Sequence, residues 1–120
     1  MPFVILKRNP KVISDDVVKA ILKDLPTYVA EALYCHGGGE LTAGEVEIEV
    51  HEPGKLDVNY VDFEVTIVAS DYPARQANLK ERTQAIANLL AIHPAMPKGS
   101  VSRERAFVWV VLPPAAFVWV

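Results

Sequence analysis

Pro2 is the residue whose chemistry depends most on its place in this chain. A methionine followed by proline is normally removed, and its loss would leave a secondary amine at the head of an apolar run, Phe3-Val4-Ile5-Leu6. An ordinary α-amino group titrates at about 7.7–8.0. Apolar surroundings disfavour the ammonium form, so such an amine is a neutral base at neutral pH. With Met1 retained, the same nitrogen is an amide and has no basicity. Other candidates are weaker. Gly37-Gly38-Gly39 is followed by Glu40, without the Lys-Ser or Lys-Thr of a phosphate-cradling loop, and reads as a helix stop with a flexible loop. His36, His51 and His93 lack metal-ligand spacing, so no metal site is expected. Cys35 and His36 are adjacent, which makes their side chains diverge on most backbones. With no third group to orient them, Cys35 reads as a buried thiol near a helix end. Glu45, Glu47 and Glu49 form the solvated row of an alternating strand.

These residues must be held by strands and helices, and hydropathy patterning predicts which. Phe3 to Lys7 is a buried strand ended by Asn9-Pro10. Ser14-Asp15-Asp16 caps an amphipathic helix carrying Val17, Val18, Ile21, Leu22 and Leu25. Pro26 should kink or restart that helix, and Tyr28, Val29, Ala32 and Leu33 continue its apolar face. Glu45 to His51 alternates as a half-buried strand, and Pro53-Gly54 turns the chain into a longer strand over Val58 to Ala69. The two are expected to pair as a hairpin. A loop over Ser70 to Ala74 leads into a helix from Gln76 to Ala91 with Leu79, Ile86, Leu89 and Leu90 inward. The last strands are Glu104 to Leu112 and Ala116 to Val120. The order gives an α+β fold in which two consecutive β-α-β units form a four-stranded sheet with two helices on one face. Ala-Phe-Val-Trp-Val occurs at both 106 and 116, a five-residue echo that reads as shared strand composition.

At 120 residues, with 51% apolar and 22% charged, the chain is expected to be one domain over 1–120. A net charge of −3 and a pI of 5.6 argue against nucleic acid or an anionic membrane as partner. The single cysteine and the lack of a basic stretch followed by an apolar run point to a cytoplasmic setting without a secretory signal. Ala106 to Val120 contains no polar side chain, is too short to span a bilayer as a helix, and is broken by Pro113-Pro114. Two such strands exceed what a small monomer can cover, so an oligomer is expected.

The double β-α-β order, the Met-Pro start running straight into a strand, and the length resemble the tautomerase superfamily. Within it the sequence is most similar to the 5-carboxymethyl-2-hydroxymuconate isomerase family. The likeness rests on Pro2-Phe3-Val4-Ile5, on Ala43-Gly44 leading into a strand that ends Val50-His51, and on Tyr60 to Leu90 with Ala74-Arg75 and Glu81-Arg82. It closes on Pro113-Pro114-Ala115-Ala116-Phe117. What it implies is a cofactor-independent isomerase or tautomerase, a homotrimer, in which the amino-terminal proline moves a proton on an unsaturated or α-keto carboxylate. Pro2 is then base and acid in turn. Arg75 would hold the small-molecule carboxylate through a fork that binds both oxygens and stays charged. Its truncation would be expected to weaken carboxylate binding and barely change stability. Tyr60, Trp109 and Phe117 would wall the pocket.

The resemblance fails at one place. Where the relatives carry arginines on the strand before Val-His, this chain has Glu47-Ile48-Glu49, which would repel a dicarboxylate. A monocarboxylate such as an aromatic α-keto acid, or a related hydratase or dehalogenase reaction, fits equally. The alternative from another class is a non-catalytic double β-α-β module that binds a small ligand or a partner protein.

Overall fold

A computed structural model describes residues 2–37, 39–98, 105–114 and 120. Two parallel strand pairs are joined antiparallel at their centre, giving the sheet order β2-β1-β3-β4. The strands are β1 (Phe3–Arg8), β2 (Glu47–His51), β3 (Phe63–Val68) and β4 (Ala106–Val111). The helices are α1 (Asp15–Leu33), α2 (Pro73–Gln76) and α3 (Leu79–Ala91), and the turn Ala43–Glu45 is a short 3-10 helix. The α+β class, the two β-α-β units and the four-stranded sheet are as the sequence implies. The segment 116–119 and Phe117 lie outside the described residues.

Alternation in the strands sets the layers. Val4 and Leu6 of β1, Phe63, Val65 and Ile67 of β3, and the partly covered Ala106, Val108 and Val110 of β4 share one face. Val18, Ile21, Leu25, Val29 and Leu33 of α1 and Ile86 and Leu90 of α3 pack against it. Burying each such aliphatic side chain contributes roughly 1.5–3 kcal/mol. The opposite face carries Phe3, Ile5, Thr66, Val68, Phe107, Trp109 and Val111, all partly or fully exposed.

Two expectations are corrected. The strands β2 and β3 form no hairpin: β2 lies parallel to β1, Phe3 opposite Glu47, and β1 separates it from β3. The physical reason lies in coverage. Apolar on both faces, β1 takes the interior position, whereas β2 exposes Glu47, Glu49 and much of Val50 and so suits an edge. Residues 52–62 are also too long for a tight turn, and Asn59 within them has φ of 58°. Pro26, in turn, does not restart α1, which runs unbroken through it. The packing of Leu25 and Val29 outweighs the one hydrogen bond that proline removes.

Polar clamps tie the layers together. Ser14 Oγ accepts from Val17 N at 3.3 Å and caps α1. His93, buried after α3, pairs through Nε2 with Asp24 of α1 at 2.7 Å while its Nδ1 accepts from Ala95 N at 3.1 Å. Arg8, also buried, donates to Ile13 O at 2.9 Å and pairs with Asp15 and Glu52.

Candidate functional site

Register alone decides what gathers at one end of the sheet. In a parallel pair the strands start together, and in an antiparallel pair one starts where the other ends. The starts of β1 and β2 therefore meet the ends of β3 and β4, and Glu47 N donates to Pro2 O at 3.2 Å. A cavity of about 220 Å³ opens here, lined by Pro2, Gly39, Glu40, Leu41, Glu45, Ser70, Tyr72 and Arg75. Pro2 is buried.

Arg75 enters from α2, where Pro73 takes the first helical position and Arg75 N donates to Tyr72 O at 2.9 Å. Its side chain is only 2% exposed. Nε donates to Leu33 O at 2.8 Å, Nη1 to Ser70 O at 2.9 Å and Nη2 to Gly39 O at 3.2 Å. The ring of Tyr72 lies over the guanidinium, 4.8 Å from Cζ to the centroid. Among the described residues no carboxylate is within ion-pair distance of Arg75. A guanidinium has five N–H donors, so two beyond these three bonds remain for a ligand. A buried cation without a counter-charge favours an anion in the space beside it.

The glycine run has a role other than a flexible stop. Cys35 and Gly39 exchange backbone hydrogen bonds at 2.8 and 3.1 Å, with Gly37 at φ of 78° between them. A Cβ on Gly39 would lie 2.7 Å from the Cys35 Cβ and 3.3 Å from Arg75 Nη2. The absent side chain lets this loop close against the arginine. Cys35 itself is buried at the helix end as expected, its Sγ 3.7 Å from Leu33 O.

Glu45 is fixed by its own turn: Oε1 accepts from Thr42 N and from the Thr42 hydroxyl, each at 3.0 Å. Glu40 Oε1 accepts from Gly37 N at 3.1 Å. These two acids, not Glu47 and Glu49, border the cavity. Glu49 instead contacts His51 at 3.1 Å on the exposed edge.

Of the residues assigned from the sequence, Pro2 and Arg75 come together and the aromatic wall does not. Tyr60 lines a different cavity of about 330 Å³ with Lys7, Asp57 and Glu64, at the far end of β1. Six strand residues separate the two ends, roughly 20 Å. Burial, then the charges of Asp57, Glu64 and Glu52, pushes the Tyr60 phenol up from its usual range. Trp109 is 55% exposed and sits opposite Thr66 in mid-strand, beside a groove between β4 and α3. Phe117 is outside the described residues. Tyr72, Glu40, Glu45 and Gly39 carry no local motif. Only the sequence Tyr72-Pro73-Ala74-Arg75, a proline-started helix beginning next to an arginine, hints at Tyr72.

Among the described residues, no group of three or more His, Cys, Asp or Glu side chains gathers closely enough to hold a metal ion. None of their helices is long and apolar enough to cross a membrane.

Neither a protein-family model nor a curated protein matches the sequence. Solved structures do match its fold. The Q0 fused 4-OT wild-type symmetric trimer superposes with a TM-score of 0.59 at 14% identity, over 93% of this chain and 85% of that one. MIF2 of Leishmania major gives 0.57 at 14% identity, over 98% and 93%. Pt0534 inactivated by 2-oxo-3-pentynoate gives 0.57 at 15% identity, over 93% and 85%. The fold is therefore tautomerase-like, along nearly the whole chain.

Proposed function

We propose that this chain is a tautomerase-superfamily enzyme that needs no cofactor and moves a proton on an unsaturated or α-keto carboxylate. One observation carries the reading: Pro2 and Arg75, far apart in sequence, line the same small cavity. Arg75 holds the substrate carboxylate with the two donors that the backbone leaves over. Pro2, freed of Met1, takes a proton from the enol oxygen or from a carbon beside the carbonyl. It then returns that proton to another atom of the conjugated system, so no net proton is consumed. An assembly of three chains and a cytoplasmic setting belong to the same proposal. The inactivation of Pt0534 by 2-oxo-3-pentynoate supplies a probe, since this alkynyl keto acid carries both a carboxylate and a carbon that accepts a nucleophile.

A second reading has its own support. The three bonds from Arg75 to backbone carbonyls would serve a non-catalytic module of the same architecture equally well. Enol-to-keto conversion of phenylpyruvate, followed by ultraviolet absorbance, separates the two. Protein lacking Met1 is expected to be active, protein retaining Met1 inactive, and Pro2→Ala strongly slowed, because a primary amine replaces a secondary one. Incubation with 2-oxo-3-pentynoate is expected to add one reagent mass to the peptide beginning at Pro2. Equal rates with and without Met1 would rule out the amino-terminal base. No turnover across α-keto acids together with no labelling would favour the binding module.

A further inference from the structure

We infer that the cavity selects by charge, accepting a short monocarboxylate and refusing a dicarboxylate, and that Glu45 with Glu40 imposes the refusal. The inference rests on the proposed carboxylate site and adds the substrate's charge and size to it. One side of the cavity is a single cation, Arg75, fully buried and with no carboxylate at ion-pair distance among the described residues. Two carboxylates border the same 220 Å³, and among the described residues no second arginine or lysine lines it. Once one carboxylate of a ligand is seated on Arg75, a second within so small a volume must approach Glu40 or Glu45. Like charges brought close together repel, and juxtaposing them across a binding site disfavours the wrong ligand. Glu45 cannot readily swing away, because Thr42 holds it by two hydrogen bonds of 3.0 Å. The volume sets the size: it lies below the 300–1,000 Å³ typical of drug-sized ligand pockets, so a chain of a few carbons fits and a long diacid does not.

A matched pair of ligands tests this without requiring catalysis. Binding of 2-oxopentanoate and of 2-oxopentanedioate, which share their carbon chain and differ by one carboxylate, is measured by calorimetry at neutral pH. The monoacid is expected to bind at least roughly tenfold more tightly. In Glu45→Gln and in Glu40→Gln/Glu45→Gln the diacid is expected to gain affinity by more than the monoacid does, narrowing the ratio. Gln keeps acceptor and size, and circular dichroism checks that the variants are folded. If Glu45→Gln loses the turn, Glu45→Asp, which keeps the charge, must preserve the preference. Equal binding of both acids to the unaltered protein, or an unchanged ratio in the double variant, overturns charge selection while leaving the carboxylate site standing. Failure of both acids to bind overturns the carboxylate site itself, and charge selection with it.

Discussion

Removing the Arg75 side chain takes a donor from the carbonyls of Leu33, Gly39 and Ser70, two of these bonds lying in the buried interior, although Gly39 O keeps the bond from Cys35 N. Arg75→Ala is therefore expected to lower stability by about 3–5 kcal/mol, read from urea unfolding followed by circular dichroism. This reverses the expectation that truncation barely changes stability, and a loss below about 1 kcal/mol would restore it. Gly39→Ala, whose new methyl would strike Cys35, is expected to cost roughly 1–3 kcal/mol in the same measurement. Tyr60 offers a pH test. Its folded value is raised above the usual 10, so its contribution to stability is complete below that pH and is lost as pH rises through the folded value. Absorbance at 295 nm, taken as the difference between the protein and Tyr60→Phe, is expected to show this phenol ionising later than a free tyrosine. Normal titration would mean the loop over 52–62 leaves it solvated. Pro2 was legible from its position and Arg75 through the family likeness. Tyr72, Glu40 and Glu45 were not, because sheet register, not spacing, carries them to Pro2.

Periodicity exposed the elements and concealed their neighbours. The apolar spacing of α1 and α3 and the alternation of β1 and β3 depend on a single local face, which a sequence displays. Which strand lies beside which depends on coverage of both faces, and that misplaced β2. The helix expected from Gln76 is likewise two pieces: α2 begins three residues earlier at Pro73, and the chain departs from helical geometry at Asn78 (φ −139°, ψ 39°) before α3. That departure brings Arg82 to the end of α1, whose last turn contains no basic residue of its own. Arg82 Nη1 donates to Ala32 O at 3.1 Å and Tyr34 O at 2.9 Å, supplying from another helix the donors that the end of α1 lacks. Arg82→Ala should cost about 1–2 kcal/mol, and an unchanged unfolding midpoint would show the cap to be solvent-equivalent. Pro26→Ala should act in the opposite direction, since it restores a donor and relieves the clash of the ring with the preceding turn. The expected gain is about 1–3 kcal/mol, read as a higher midpoint.

A sheet with helices on one face must do something with the other. Here that face is largely apolar toward β4, with Phe3, Ile5, Val68, Phe107, Trp109 and Val111 beside the Lys7–Glu64 ion pair, and acidic toward β2, with Glu47 and Glu49. Among the described residues β4 is an edge strand, beside this face. A chain of this size holding such a surface in water gains most by closing it against copies of itself. The trimer proposed above is expected to close this face. Light scattering after size exclusion is expected to give three times the 13.2 kDa of one chain. Trp109 tests the cause, because at 55% exposure it contributes little to the core of its own subunit and much to the open face. Trp109→Glu should keep its circular dichroism spectrum and run as a monomer. A monomeric unaltered protein at tens of micromolar would refute the assembly. A Trp109→Glu variant that stays trimeric would move the contact off this face and leave Trp109 to the groove beside α3.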